Sequence, residues 1–398
     1  ASDVYKRQLL DGADGRTLAV ESRMNPQAQY GADVIMRANY ALEHGTDVLS
    51  QCIREAVNEM LGVLAGAAGI SRNDIFQVCI VGNTCMHHLF LGISPASLVH
   101  APYTPAVSER LVLNAGDYGL AVQERAELIM LSDIAGYVGA DTCGCLLAIR
   151  QDQQEEISLM IDIGTNGEMV LGNRERMVTC STAAGPAFEG AKIECGMRGA
   201  AGAVDHVKYE DGKWNYTTVG NKPAVGLCGS GLIDLVAGLL DAGMLDENGV
   251  LRSGQEKQGV FILVPPERGG NERGVYLTQK DLGEVQLAKA AIAAGIQMLM
   301  ERLGITEDDI CSVYIAGAFG NYMDPVSAGK IGLLPATLVK KVKPVGNAAG
   351  EGAKIALVNE REMLEMDELV RKIDFVELAA SADFQDHFID ELGFETGE

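Results

Sequence analysis

The sequence predicts an α/β protein built from two related domains, and three observations lead to that prediction. A segment occurs twice, since GISRNDIFQVCIVG at 69–82 matches GITEDDICSVYIAG at 304–317 with an offset of 235 residues. Each copy follows an apolar helical pattern and reads as a Gly helix end, a Ser/Thr-x-x-Asp start and a buried strand. The 398 residues include 47 Gly and are 47% hydrophobic, which is typical of large cores with tight turns.

Composition excludes several classes of partner. The net charge of −23 opposes binding to nucleic acid or to anionic membranes, because both need a cationic surface. No apolar run approaches the ~18 residues that span a bilayer, and no cationic leader is recognisable, so we expect a cytoplasmic protein. Nine Cys lie mostly in apolar runs without a Cys-x-x-Cys pair, and we expect reduced core thiols rather than a metal site.

In the first half, the elements follow from local signals. Residues 9–11 predict the end of a strand, 12–15 a turn and 17–22 a returning strand, whereas Ala1 to Gln8 show no periodicity and no partner segment. Helical periodicity covers most of 39–66, an apolar run at 78–81 predicts a buried strand, and 136–149 predicts a helix of small residues. The polar stretch 150–156 is the expected boundary between domains at 9–150 and 157–398.

The second half opens with a strand at 157–161, a turn from Asp162 to Glu168 and a second strand at 169–171. Residues 181–191 (STAAGPAFEGA) predict a strand, a Gly turn and a helix start. Helices are expected at 227–240 and 284–303, and an amphipathic segment over 374–398.

The turn Asp162-Ile-Gly-Thr-Asn-Gly-Glu168 is the strongest candidate site. Gly164 and Gly167 would let backbone N–H groups approach phosphate oxygens, and Thr165 and Asn166 add side-chain donors. Asp162, at a strand end, is placed to orient water around Mg²⁺. An ordinary Asp/Gly turn is an equally good interpretation of this segment alone.

Two other candidate sites can also be explained by packing alone. Gly226-Leu-Cys-Gly-Ser-Gly231 predicts a Gly-rich turn before a helix, so Gly229, Ser230 and Gly231 could meet phosphate or ribose, or could serve close packing. His87 and His88 are adjacent and would diverge by ~100° on a helix, which favours a structural or interface role over a metal site.

The Asp162 turn, the segment 181–191 and the second repeat copy follow one another along the chain in an order that resembles the ATPase superfamily of actin, sugar kinases and Hsp70 chaperones. That superfamily holds ATP between two duplicated domains with paired Asp-Gly phosphate hairpins. The resemblance implies two actin-like (ribonuclease-H-like) α/β domains around a nucleotide cleft. It also implies a set of contacts beyond the hairpin: Gly185 in the Ser-Thr-Ala-Ala-Gly turn, Gly317, Ala318, Phe319 and Gly320 at an adenosine turn, and Gln286 and Lys289 on a helix flanking adenine.

Longer strings, including YGADV at 30–34, VGNTCMH at 81–87, LCGSGLID at 227–234 and LTQKD at 277–281, are similar to the reductive activators of corrinoid proteins. The resemblance covers residues 9 to 395. That family couples ATP to the one-electron reduction of Co(II) to Co(I) in methyl-transfer systems. It implies ATP and Mg²⁺ as cofactors and a corrinoid protein as partner, and it leaves a homodimer open.

The sequence differs from the family pattern in two ways, and each difference predicts a missing part. The family's two-iron ferredoxin module has C-x₄-C-x₂-C spacing, which this sequence lacks. The family's first strand and first Asp-Gly loop have no counterpart before Leu9. The chain is therefore expected to be an ATPase core with an incomplete first domain, impaired in ATP binding, and with its iron–sulfur centre elsewhere in the parent protein. In a related activator group Cys228 resembles a cluster ligand between subunits, but a single such Cys without a companion favours packing.

The predicted function is ATP-driven reductive activation of a corrinoid protein, in which ATP shifts one domain against the other and the acidic body docks the partner. Two alternatives stay open at this point: a small-molecule kinase of the same superfamily, and a non-enzymatic binding module switched by nucleotide.

Overall fold

A computed structural model describes residues 4–252, 259–379 and 381–394. The strands in these ranges are β1 (Val4–Leu10), β2 (Thr17–Met24), β3 (Gln77–Ile80), β4 (Leu111–Asn114), β5 (Glu127–Met130), β6 (Ile157–Ile163), β7 (Gly167–Gly172), β8 (Met177–Thr182), β9 (Ala203–Glu210), β10 (Lys213–Thr218), β11 (Gly226–Leu227), β12 (Val260–Val264), β13 (Val275–Thr278), β14 (Ile310–Ala316), β15 (Val342–Gly346) and β16 (Asp374–Phe375).

The α-helices in the same ranges are α1 (Val34–His44), α2 (Asp47–Ala68), α3 (Thr84–Leu91), α4 (Ala96–Val99), α5 (Ala140–Ile149), α6 (Gly229–Asp241), α7 (Gln279–Leu303), α8 (Gly317–Gly320), α9 (Pro325–Lys330), α10 (Ala348–Val358), α11 (Glu360–Val370) and α12 (Ala382–Asp390). None of these helices combines the length and the apolarity that crossing a bilayer requires.

The chain folds as two units. Unit 1 comprises Ala1–Glu155, Asn173–Thr179 and Asn347–Phe375, and unit 2 comprises Glu156–Gly172, Cys180–Gly346 and Val376–Glu398. The strand β8 is divided between them, since its first three residues belong to unit 1 and its last three to unit 2.

Unit 1 begins with a hairpin of β1 and β2, paired antiparallel with Gln8 opposite Val20. The expectation that Ala1 to Gln8 lack a partner is therefore wrong for residues 4–8, which extend the predicted strand end backwards. Apolar alternation does not reveal this strand, because it carries the polar run Lys6-Arg7-Gln8. Residues 1–3 lie outside the described part of the chain.

A three-stranded sheet in the order β3-β5-β4 forms the centre of unit 1, with β3 parallel and β4 antiparallel to β5. One face buries apolar side chains of α2, including Ile53 and Val57, against Val78 and Leu128. In the same unit α5 and α10 cross closely, since a Cβ on Gly352 would lie 1.8 Å from the carbonyl oxygen of Gly144. Only glycine at both positions permits this approach.

Unit 2 contains the strands β15-β14-β6-β7 in that order. The strands β15, β14 and β6 are mutually parallel, and β7 returns antiparallel to β6. Because β14 and β6 are parallel neighbours, their carboxyl ends lie side by side, with Ala316 opposite Asp162. In open α/β sheets ligands bind outside this edge.

The two copies of the repeat fold alike. The long helices α2 and α7 end at Gly69 and Gly304, with left-handed φ angles of 70° and 67°. One-turn 3₁₀ segments, Arg72–Asp74 and Glu307–Asp309, come next with capping boxes from Ser71 and Thr306, and then β3 and β14 begin. The helix-end and strand predictions for both copies are confirmed, whereas each predicted helix start is only a single 3₁₀ turn with a capping box.

Most other predicted elements of unit 2 are found. The turn at Asp162 joins β6 and β7, α6 and α7 match the expected helices, and α12 supplies an amphipathic terminal helix. The prediction of a helix start after Ser181 is wrong in kind, because β8 is followed only by the 3₁₀ turn Ala187–Glu189. Pro186 and Gly190 bracket this turn, and Gly190 has φ 81°, which ends it at once.

Candidate functional site

The hairpin between β6 and β7 in unit 2 forms the centre of the candidate site. Asp162 is the penultimate residue of β6, is half-buried, and pairs in register with Glu168 on β7. Its carboxylate therefore stands at the carboxyl edge of the sheet, where the neighbouring parallel strand β14 also ends.

Two backbone donors at the tip of this hairpin are open. The N–H of Gly164 donates to the carbonyl oxygen of Asn166 at 3.0 Å, which closes the turn. In the part of the chain that the structure describes, the N–H groups of Thr165 and Asn166 donate to no protein acceptor. Consecutive N–H groups in such a turn form a concave anion site, as phosphate binding requires.

Gly167 anchors the second strand of the hairpin. The carbonyl oxygen of Gly167 accepts a hydrogen bond from the Thr182 hydroxyl at 3.3 Å. A Cβ on Gly167 would lie 2.8 Å from that hydroxyl oxygen and 3.2 Å from Cγ1 of Ile292 on α7. Close packing against β8 and α7 thus requires glycine here and fixes the hairpin on the body of unit 2.

Gly317, which ends the second copy of the repeat, lies directly beside the hairpin. It has φ 84°, and a Cβ at this residue would lie 2.9 Å from Oδ1 of Asp162. The residues Gly317–Gly320, including Ala318, form the single turn α8. The structure therefore brings the predicted phosphate hairpin and the predicted adenosine turn together at the ends of β6 and β14.

The Gly185 turn joins the same group of residues. The N–H of Gly185 donates to the carbonyl oxygen of Thr165 at 2.8 Å. Four residues later, Glu189 accepts a hydrogen bond from the Thr165 hydroxyl, with 2.7 Å between Oγ1 and Oε2. The sequence predicts Thr165 as a side-chain donor to phosphate, whereas its proton is directed here to a carboxylate.

Phe319 and the start of α6 form an apolar layer. The rings of Phe319 and Phe188 stack at 5.7 Å with an interplanar angle of 19°. Gly229 packs under them, since a Cβ there would lie 2.0 Å from the carbonyl oxygen of Phe188 and 2.8 Å from the Phe319 ring. Gly229 thus helps to position α8.

Ser230 and Gly231 face the interior of unit 2. The Ser230 hydroxyl is buried and donates to the carbonyl oxygen of Asp205 at 2.8 Å. A Cβ on Gly231 would lie 2.2 Å from the carbonyl oxygen of Val204. Close packing accounts for both residues, and a nucleotide contact for them stays a prediction.

Gln286 and Lys289 on α7 contact the carboxy-terminal segment. Gln286 donates through Nε2 to the carbonyl oxygen of Leu392 at 2.9 Å. Lys289 is buried, its Nζ donates to the carbonyl oxygen of Gly393, and it lies 5.6 Å from the ring centroid of Phe394. These contacts already engage both side chains, and their predicted role beside adenine stays a prediction.

The residues at the hairpin fit a magnesium nucleotide. Asp162, Thr165 and Asn166 offer carboxylate, hydroxyl and amide oxygens, which are the ligand types that Mg²⁺ prefers, often through water. The glycine cradle at Gly164 and Gly317 leaves space that a Cβ would fill. Within the described ranges no cluster of three or more His, Cys, Asp or Glu could hold a metal directly. A cation held through water and nucleotide phosphates is consistent with that finding.

The corresponding turn of the first copy, in unit 1, is built differently. His87 and Asp133 are buried, and Nδ1 of His87 lies 3.3 Å from Oδ2 of Asp133. The other carboxylate oxygen, Oδ1, accepts the N–H of Ala140 at the start of α5. Burial opposes charging of the imidazole, but the carboxylates of Asp133 and Asp141 outweigh it, and the pKa of His87 is raised.

His88 is a structural histidine. Its Nδ1 donates to the carbonyl oxygen of Thr84 at 2.8 Å, and its Nε2 accepts the N–H of Ala106 at 2.9 Å. Burial lowers the pKa of His88, so the ring is neutral in this arrangement. The preference for a structural role over a metal site agrees with these contacts.

The thiols are dispersed in the structure. Cys228 is buried, and its Sγ lies 3.3 Å from the carbonyl oxygen of Val204 and 3.4 Å from the Ser230 hydroxyl. Burial raises the pKa of Cys85 to about 12 and also raises that of Cys143. Such thiols stay protonated, which disfavours metal ligation.

Sequence reasoning misses two parts of this site. Glu189 lies inside the predicted turn STAAGPAFEGA, but nothing in its spacing shows that it reaches back 24 residues to Thr165. The segment Leu392–Phe394 is expected only as part of an amphipathic end, and its return to Gln286 and Lys289 is a long-range contact.

Comparisons with known proteins agree with the geometry. Residues 156–398 match the model described as the C-terminal domain of RACo, the ASKHA domain, and residues 4–154 match the RACo middle region. The actin-like α/β fold predicted for this chain is thereby confirmed, and the ASKHA class is one that uses nucleotides.

Three relatives cover nearly the whole chain. The corrinoid activation enzyme RamQ of Eubacterium limosum is 35% identical over 398 residues, which is 96% of this chain and 67% of that protein. The [Co(II) methylated amine-specific corrinoid protein] reductase of Methanosarcina barkeri is 28% identical over 98% of this chain and 75% of its own length. A solved structure, a reductive activator for corrinoid, iron-sulfur protein, superposes with a TM-score of 0.89 at 36% identity. The match covers 99% of this chain and 64% of the chain of that structure.

Proposed function

The chain belongs to the family of reductive activators of corrinoid proteins, and from that premise we propose that it uses ATP to drive the reduction of a corrinoid protein in a methyl-transfer system. The cobalt of the partner is the substrate, and one electron converts Co(II) to Co(I). The chain spans about two thirds of the length of these relatives. The activity is therefore proposed for this chain acting together with an electron-donating module.

One observation carries the nucleotide part of the proposal. Gly317 lies against the carboxylate of Asp162. The hairpin with its open N–H groups and the turn α8 therefore lie side by side at the carboxyl edge of the sheet, where β6 and β14 end. A hairpin that served only as a turn would not need a glycine that follows another strand beside its carboxylate.

Each group at this edge of the sheet has its own task. The N–H groups of Thr165 and Asn166 would bind phosphate oxygens, and Asp162 would orient water around a magnesium ion held with the nucleotide. Residues 317–320 take the adenosine side. When bound, the magnesium ion neutralises charge that develops on the β- and γ-phosphate oxygens.

The electron would come from an external low-potential iron–sulfur centre, since the Cys residues of the described ranges do not form a cluster site. In these ranges no three thiols form a group that could hold a metal, and the thiols of Cys85 and Cys143 are held protonated by burial. The net charge of −23 favours a corrinoid partner with a basic docking face. We propose that this reaction takes place in the cytoplasm. A homodimer of the chain would be compatible with docking of a corrinoid partner.

Anaerobic absorption spectroscopy tests the proposal. The chain is mixed with a Co(II) corrinoid protein and Ti(III) citrate as the electron donor, with and without MgATP. We expect MgATP to increase both the rate and the extent of Co(I) formation, and Asp162→Asn to abolish the increase. Co(I) formation that is the same with and without ATP would contradict the proposal. ADP formation that depends on a sugar or a carboxylic acid would replace it with a kinase.

A further inference from the structure

Glu189 is hydrogen-bonded to the tip of the phosphate hairpin through one carboxylate oxygen, and its other oxygen lies beside the turn. Its Oε2 accepts the Thr165 hydroxyl proton at 2.7 Å. Its Oε1 lies 3.5 Å from the position that a Cβ on Gly164 would occupy. The carboxylate thus covers one side of the turn whose N–H groups are open.

The backbone holds Glu189 in this place. The N–H of Gly185 binds the carbonyl oxygen of Thr165, and the N–H of Ala191 binds the carbonyl oxygen of Pro186 at 3.1 Å. Gly190 adopts φ 81° and packs against the backbone of Met197, where a Cβ would come within 2.6 Å. The turn that carries Glu189 is therefore fixed both to the hairpin and to the segment around Met197.

The direction of the hydrogen bond decides what Thr165 can do. A hydroxyl has one proton and two lone pairs, and a carboxylate can only accept. Since the proton of Thr165 goes to Glu189, its Oγ1 is an acceptor toward any other group. It can accept from a water molecule of a hydrated cation, but it cannot donate to a phosphate oxygen. A carboxylate this close to bare phosphate would also repel it.

We propose that Glu189 is a positioning residue that makes Thr165 an acceptor for the water shell of a divalent cation bound with the nucleotide. This role rests on the proposed function, because it assigns the cation side of the same site. Thr165 then acts beside Asp162, while the backbone N–H groups of the hairpin take the phosphate.

Calorimetric titration with MgATP and with metal-free ATP in EDTA tests this role by binding rather than by turnover. We expect Thr165→Val and Glu189→Met each to weaken MgATP binding about tenfold, as outer-shell changes at metal sites do. Affinity for metal-free ATP should stay unchanged in Thr165→Val and should be unchanged or higher in Glu189→Met, because a negative charge is removed. The double variant should bind MgATP no more weakly than Thr165→Val alone.

Conservative variants separate positioning from charge. Glu189→Gln keeps an acceptor oxygen and Thr165→Ser keeps the hydroxyl, so both should bind MgATP within about threefold of the wild type. Thr182→Val is the matched control, because Thr182 bonds the same hairpin at Gly167 and should not alter the dependence on Mg²⁺. Thermal unfolding of each variant identifies loss of fold, and Thr165→Val keeps the test open if Glu189→Met fails to fold.

Several results would overturn the role. Equal losses with MgATP and metal-free ATP would make Glu189 a structural support only. A loss in Glu189→Gln as large as in Glu189→Met would assign the effect to charge, and multiplicative losses in the double variant would separate the two residues. Wild-type protein that binds no nucleotide even with the family's first phosphate loop restored would remove the proposed function together with this role, whereas normal binding that both variants retain removes this role alone.

Discussion

The two copies of the repeat share their local structure as far as the end of the strand and differ in the segment after it. In the first copy Gly82 leads into α3, an eight-residue helix whose residues from Thr84 to Phe90 are buried. In the second copy Gly317 opens the four-residue turn α8 beside the carboxylate of Asp162. One supersecondary unit thus ends in core packing in unit 1 and in a candidate ligand site in unit 2.

The contacts at the two turns explain this difference. The turn of the first copy is closed by Gly139, where a Cβ would lie 2.5 Å from the carbonyl oxygen of Gly82 and 2.7 Å from backbone atoms of Asn83 and Thr84. At the turn of the second copy, the neighbouring group is a half-buried carboxylate with open backbone donors beside it. The same fold element therefore carries function only where the residues around it leave space and supply polar groups.

The largest expected effect is on catalysis in the second copy. Asp162→Asn keeps the size of the side chain but removes the charge that orients water around magnesium, and it should lower ATP hydrolysis by about a hundredfold or more. Steady-state measurement of ADP release checks this expectation, and thermal unfolding should show an intact fold. Unchanged hydrolysis would remove Asp162 from the mechanism.

A methyl group at the closed turn should act on stability instead. Gly139→Ala places a Cβ into the backbone of residues 82–84, where nothing flexible can yield, and should lower the free energy of unfolding by about 2–3 kcal/mol. Urea denaturation measures the loss. If Gly139→Ala unfolds like the wild type, the turn of the first copy is not closed as described.

The paired glycines of the repeat allow a matched comparison. Gly317→Ala combines φ 84° with a Cβ at 2.9 Å from Asp162 Oδ1, so it should weaken nucleotide binding about tenfold or more. Gly82→Ala is the control, since a Cβ there would meet only Met86 Cβ at 4.0 Å. Isothermal titration should separate the two variants. Equal nucleotide affinities of Gly317→Ala and Gly82→Ala would contradict the assignment of nucleotide binding to the second copy alone.

The smallest expected effect is the pH dependence of the first copy. Because the pKa of His87 is raised in the folded protein, its stabilisation is complete below the unfolded value of about 6.5 and is lost as pH rises through the folded pKa. His88, whose pKa is lowered, acts in the opposite sense below about pH 6.5.

Thermal unfolding at a series of pH values checks this dependence. His87→Gln should flatten the loss of stability above about pH 6.5 and leave unchanged the loss at lower pH, to which His88 contributes. A wild-type stability that rises with pH in this range would contradict a raised pKa of His87 beside Asp133.

The sequence predicts those parts of the site that depend on neighbours along the chain. The repeat, its helix ends at Gly69 and Gly304, and the hairpin at Asp162 all follow from local pattern. The contacts that distinguish the two copies do not, since Gly139 meets Gly82 and Glu189 meets Thr165 only through tertiary packing. The first part of β1, residues 4–8, is not predicted for the same reason, because pairing with β2 rather than apolar alternation defines it.

Hydrogen exchange of the wild-type chain with and without saturating MgATP tests the central claim most directly, because it compares both copies in one experiment. The account predicts that MgATP slows exchange in peptides covering 162–168 and 317–320 and leaves peptides covering 82–91 unchanged. Slowed exchange at 82–91 without any change at 162–168 would contradict it, since the nucleotide would then bind at the turn assigned here to packing.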